Sequence, residues 1–158
     1  MKVYIGSDHG GYEFKKKYVP WLKEKGYEVV DVGYHTYDPE DDFPDIAFEL
    51  AEKVVADPGS LGILMCRSGG GMTIAANKVP GARCSTAVSP EEVRHNRNDD
   101  DLNILALSGD YVSEELSFEM MEVFLKTPYS ELTRFIRRLK KIEEYENKGC
   151  GGCCGGCK

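Results

Sequence analysis

Residues 61–80 read LGILMCRSGGGMTIAANKVP. An apolar run, LGILM, ends at Cys66; a glycine-rich turn follows, and MTIAANK continues with helical character. A strand that passes through a tight turn straight into a helix is one half of a βαβ unit, so the chain that contains it needs further parallel strands. The turn also has chemical potential. It sets a thiol at the end of a strand beside the backbone amides of residues 67–71, three of them on glycines.

The other segments supply the partners. Residues 2–6, KVYIG, form a β-type run leading into Ser7, Asp8, His9 and the pair Gly10-Gly11. Phe14, Tyr18, Trp21 and Leu22 recur at helical spacing over residues 12–25, with Gly26 as the stop. Residues 27–32, YEVVDV, predict a second strand buried on both faces. A polar, acidic loop over residues 33–44 leads to a helix over residues 45–55 that Pro44 opens. Residues 82–88 and 103–107 predict the fourth and fifth strands, with a helix started by Ser89-Pro90-Glu91-Glu92 between them. Helices over residues 113–126 and 131–147 complete the pattern.

Strands alternating with helices in this way imply a doubly wound α/β fold, with a five-stranded parallel sheet and helices on both faces. Ligands of such sheets sit beyond the carboxyl ends of the strands, near a topological switch point. On this reading three polar loops converge at one edge: Asp8-His9, residues 66–71 and residues 98–101.

At 158 residues and 41% hydrophobic, the chain suits one globular domain over residues 1–147, with residues 148–158 as a flexible Gly/Cys-rich tail. No run of 18 apolar residues exists, which excludes a membrane-spanning helix. The start, MKVYIGSDHGG, turns charged and glycine-rich too early for a secretory signal, so a cytoplasmic location is expected. A net charge of −7 argues against nucleic acid as a generic partner. Cysteines in that setting read as thiols or metal ligands before disulfides.

Cys66 is either a small apolar residue finishing a strand or a reactive thiol. The amides of Gly69, Gly70 and Gly71, the helix start beyond them and the charge of Arg67 favour an anion there, whether thiolate, phosphate or developing oxyanion. The turn matches neither a P-loop nor a GxGxxG fingerprint. Ser68 can donate a hydrogen bond or relay a proton. Asp8 and His9 either cap the first helix or aim a carboxylate and an imidazole at a polyol phosphate. Residues 98–101, NDDD, lack the spaced ligands of a calcium loop, and no metal is expected. His95 reads as a solvated surface residue. Arg134 and Arg138, at i and i+4 on the last helix, form either an exposed basic face or a phosphate clamp. Cys150, Cys153, Cys154 and Cys157 make two adjoining CxxC units, which suggest either metal or redox chemistry or an accessory disordered tail.

The motifs GSDHGGYEFK, YEVVDVG, DFPDIA, LGILMC, SGGGMTIAANKVPGAR, NILALSG and TRFIRRL, taken in this order over residues 1–142, resemble the ribose-5-phosphate isomerase B family and its galactose-6-phosphate isomerase relatives. The resemblance implies a Rossmann-like three-layer sandwich and a cofactor-free aldose–ketose isomerase of a sugar phosphate, with ribose 5-phosphate to ribulose 5-phosphate as the default pair. It implies Cys66 as the base that moves a proton between C1 and C2 through a cis-enediolate, and Ser68 as a hydroxyl that assists at the oxygens. Gly69, Gly70 and Gly71 would stabilise the enediolate, and Asp8 and His9 would contact sugar hydroxyl and phosphate. Arg134 and Arg138 would bind phosphate across the interface of a homodimer, or of a tetramer, whose active site is shared between subunits.

The sequence also departs from the family pattern. Asp99 stands where a ring-opening His is expected, followed by Asp100, and His95 lies one helical turn earlier. Asp110 stands at a common Arg position, Phe135 at a His position, and Arg67 replaces a small residue. These departures predict a remodelled phosphate or sugar end, with Asp99 or His95 serving ring opening and Arg67 and Asp100 facing the substrate. They leave room for another pentose or hexose phosphate, or for a non-catalytic sugar-phosphate-binding protein.

Overall fold

Strand β3 (Leu61–Cys66) is buried at every residue, as an apolar run without polar alternation requires when helices cover both faces of a sheet. It pairs in parallel with β1 (Lys2–Ser7) on one side and β5 (Ile104–Ser108) on the other. The edges are β2 (Glu28–Asp31) beside β1 and β4 (Cys84–Thr86) beside β5, giving the order β2-β1-β3-β5-β4. The five-stranded parallel α/β sandwich expected from the sequence is therefore present. The computed structural model describes residues 1–150, and the tail thiols Cys153, Cys154 and Cys157 lie outside the described residues.

Among the described residues, six helices connect or flank the strands: α1 (Tyr12–Glu24), α2 (Phe43–Ala56), α3 (Gly70–Ala76), α4 (Pro90–Asp100), α5 (Glu114–Lys126) and α6 (Thr133–Cys150). Tyr18 and Leu22 of α1, Val93 of α4 and Met120, Met121 and Phe124 of α5 pack on Ile63, Met65, Leu105 and Leu107. On the opposite face, Ile46, Leu50 and Val54 of α2 and Met72, Ala75 and Ala76 of α3 cover Leu64, Ile104 and Ala106. Each fully buried Leu, Ile or Met in these layers contributes about 1.5–3 kcal/mol. Local signals set the ends: Ser89 and Ser113 accept hydrogen bonds from the Glu92 and Leu116 amides as N-caps, and Gly26 takes a positive φ of 86° just after α1.

Three expectations require correction. Strand β2 is not buried on both faces; as an edge strand it is half exposed along most of its length. The fourth strand shrinks to Cys84–Thr86, where the side-chain amide of Asn77 replaces a neighbouring strand by accepting from the Cys84 amide at 2.8 Å and donating to its carbonyl at 2.7 Å. Residues 98–101 do not lie at the carboxyl edge of the sheet. A helix joining two parallel strands must return the chain to the amino end before the next strand begins. Because α4 precedes β5, its last turn sits at the amino edge, where Asp101 lines a cavity of about 610 Å³ with Met1 and Leu61.

Candidate active site

Strands β2 and β3 leave β1 on opposite sides, so the carboxyl ends of β1 and β3 form the topological switch point. Cys66 ends β3 there, 6% exposed, and its Sγ accepts a hydrogen bond from the Gly69 amide at 3.0 Å. The turn after it is fastened to the end of β5. Gly109 donates to the Cys66 carbonyl at 2.9 Å, and the Arg67 carbonyl accepts from the Asp110 amide at 2.9 Å and the Ser108 hydroxyl at 2.7 Å.

Gly69 has φ 77°, and a Cβ there would lie 2.7 Å from Thr86 Oγ1, so both conformation and space require glycine. Ser68 Oγ accepts from the Gly70 amide at 3.3 Å, while a Cβ on Gly71 would lie 2.9 Å from the Phe43 ring. Two of the expected oxyanion amides thus already serve the sulfur and the Ser68 hydroxyl. Below the turn, Thr73 donates to the Gly69 carbonyl at 3.0 Å and accepts from the Cys84 thiol at 3.9 Å. Burial pushes the Cys84 thiol up to about 12, against the opposing Thr73 hydrogen bond, which keeps it protonated.

Asp8 and His9 leave the end of β1 beside this turn. Asp8 Oδ1 accepts from the Gly11 amide at 3.1 Å, stabilising its own loop, while α1 itself has no side-chain cap. Burial raises the Asp8 carboxyl above its ordinary range, opposed by the Gly11 amide. His9 Nδ1 lies 2.6 Å from Asp41 Oδ1, and that hydrogen bond raises the imidazole above its ordinary 6.5. Asp41 comes from the β2–α2 loop, which the buried Lys15 ammonium anchors by donating to Asp31 Oδ1 at 2.9 Å and the Tyr34 carbonyl at 2.7 Å. The exposed Arg67 guanidinium joins Asp110 Oδ2 at 3.1 Å.

One chain gathers Asp8, His9, Cys66, Arg67, Ser68, Gly69, Gly70 and Gly71, but not Asp99, Asp100, Arg134 and Arg138. Asp99 accepts from the Asn98 side chain at 2.6 Å in the last turn of α4. Asp100 lines a cavity of about 380 Å³ beneath α6. Arg134 and Arg138 stand over the buried Phe135 ring at 4.4 and 5.6 Å. His95 is exposed and lies 3.3 Å from Glu91. Among the described residues, no three His, Cys, Asp or Glu side chains cluster as metal ligands. The sequence reading missed Asp41, Thr86 and Phe43, whose partners are distant in the chain. No local pattern marks them.

Residues 3–142 match the Ribose/Galactose Isomerase family. Ribose-5-phosphate isomerase B of Mycobacterium tuberculosis is 40% identical over 146 residues, covering 92% of this chain and 90% of that protein. The solved ribose-5-phosphate isomerase B of Clostridium thermocellum superposes with a TM-score of 0.90 at 40% identity, covering 94% of this chain and 99% of the other. The enzyme of Mycoplasma genitalium, solved with bound ribulose-5-phosphate, superposes at 0.89 with 38% identity, covering 93% and 97%. A parallel sheet with a thiol and an Asp-His pair at its switch point, together with matches that span nearly the whole chain, places this protein in the ribose/galactose isomerase family.

Proposed function

We propose that this chain interconverts ribose 5-phosphate and ribulose 5-phosphate, with Cys66 as the proton-transferring base. The observation that carries the reading is the Cys66 sulfur, set at the carboxyl end of the central strand with the Gly69 amide aimed at it. An N–H directed at sulfur rewards negative charge there. The thiolate takes the proton from C2 of the opened aldose, the C1–C2 enediolate forms, and the proton returns at C1. The hydroxyl proton moves from O2 to O1, a transfer for which Ser68 Oγ is suited. C2 is oxidised as C1 is reduced within one molecule, so the balance needs no external electron carrier. The Gly71 amide, which has no hydrogen-bond partner among the described residues, is available to the enediolate. His9 turns its Nε2 outward because Asp41 engages Nδ1, which suits it to an oxygen of the sugar phosphate.

The distant group enters through a second copy of the chain. Arg134 and Arg138 lie on α6, a peripheral helix that also exposes Ile136 and Ile142. Apolar residues at helical spacing beside guanidinium groups suit a homodimer in which α6 and the last turn of α4 reach the partner's Cys66 edge. Asp99 and Asp100 are then placed to assist ring opening and hold the sugar.

The test is an isomerase assay on ribose 5-phosphate with the native chain and Cys66→Ala. The native chain turns over, and the variant loses at least about 100-fold in kcat while keeping its circular dichroism. A fully active variant would remove Cys66 as the base.

A further inference from the structure

Arg67 is the fixed cation that the β3–α3 turn itself contributes to the Cys66 edge. Lys15, also near this edge, is occupied by Asp31 and the Tyr34 carbonyl. The Arg67 stem is built into the loop: a Cβ on Gly10 would lie 2.5 Å from Arg67 Cγ and 3.2 Å from Asp8 Oδ1. Glycine at position 10 is what lets the side chain cross this turn. The Arg67 backbone is immobilised by the Ser108 and Asp110 hydrogen bonds, yet its side chain remains 72% exposed. Its charge also reaches His9, where it opposes protonation.

Arg67 donates only through Nε, to Asp110 Oδ2 at 3.1 Å; among the described residues its two terminal nitrogens have no protein acceptor. Asp110 is itself 43% exposed. A solvated single-contact pair of this kind is weak. A phosphate dianion, met by the planar fork of a guanidinium through two parallel bonds, forms a stronger and more directional pair. Exchange of Asp110 for phosphate is therefore favourable, whereas a singly charged carboxylate would only replace like with like.

We propose that Arg67 and Asp110 form an exchangeable latch that selects phosphorylated substrates: Arg67 leaves Asp110 to grip the substrate's phosphate, and Asp110 competes with weaker anions for that place. The latch deepens the isomerase reading and rests on it for the identity of the sugar phosphate. Asp110 does not touch substrate; it acts through Arg67.

Calorimetric titration with ribose 5-phosphate tests this in the native chain, Arg67→Met, Asp110→Asn and the double variant, with thermal unfolding as the check on folding. Methionine keeps a stem over Gly10 without the charge. Arg67→Met should weaken binding about tenfold, and Asp110→Asn should tighten it about threefold. The double variant should bind as Arg67→Met does, because Asp110 has no route to the ligand except Arg67. Native-like binding by Arg67→Met, weaker or unchanged binding by Asp110→Asn, or tightening by Asp110→Asn in the Arg67→Met background would each overturn the latch. Turnover by the same native preparation reads the isomerase assignment separately. Binding that follows the latch pattern without turnover sinks only that assignment, and absence of binding sinks both.

Discussion

His9 and Asp41, 32 residues apart in the chain, meet at 2.6 Å, with the Asp41 side chain only 3% exposed and the imidazole 34% exposed. A buried carboxylate behind a half-exposed ring fixes the tautomer and leaves one nitrogen for the substrate. It does for His9 what the Gly69 amide does for Cys66: it sets the direction of a reactive group from behind.

Replacing Asp41 with Asn removes the largest cause of the raised His9 pKa. A histidine whose pKa is raised by folding contributes stability that is fully present below its unfolded value, near 6.5, and is lost as pH rises through the folded value. Native and Asp41→Asn chains should therefore differ more in denaturant stability at acid pH than at alkaline pH. NMR titration should place the His9 transition lower in the variant. An unmoved His9 titration would contradict the pairing.

Gly69→Ala should be among the most damaging single-methyl additions in the molecule. The residue has φ 77°, which costs a non-glycine residue about 1–2 kcal/mol, and the new Cβ meets Thr86 Oγ1 at 2.7 Å. We expect a stability loss of about 1–3 kcal/mol by urea unfolding and a larger proportional loss in kcat, since the Gly69 amide would turn away from Cys66. Thr86→Ala in the same background relieves the crowding but not the torsion, so recovery should be partial.

Cys84 should resist alkylation in the native state. Its thiol is 7% exposed, and burial pushes its pKa up to about 12. Iodoacetamide at pH 8.5 followed by peptide mass mapping should leave Cys84 unmodified until denaturant is added. Prompt native labelling would show that the α3–β4 layer opens readily.

Sharing of the site between two copies predicts complementation. Cys66→Ala chains and chains carrying Arg134→Ala with Arg138→Ala should each be inactive alone. Unfolded and refolded together at equal amounts, they should recover about a quarter of native activity, because half of the dimers are mixed and each has one intact site. Independent sites within single chains would give no recovery.

The strand-turn-helix order and the thiol position were readable from the sequence because they depend on neighbours in the chain. Residues 61–80 contain a buried strand, a turn that needs glycine and a helix start, each specified by local pattern or torsion. The alternation of such units leaves few alternatives to a parallel sheet covered on both faces. The resemblance over residues 1–142 agreed with that reading, and the family match confirmed it.

Tertiary structure alone decided which polar segments meet. The sequence suggested that Asn98, Asp99 and Asp100 join the Cys66 edge, yet the return of α4 before β5 carries them to the opposite end of the sheet. Asp41 found His9 and Asp110 found Arg67 across 32 and 43 residues. A pairing of that range has no local sequence signature, because strand order brings the two segments together and side-chain chemistry only then holds them. The strand, turn and helix start from Cys66 to Gly71 are written in local sequence, whereas the anchoring of the turn to β5 and the charges around it are set by the fold.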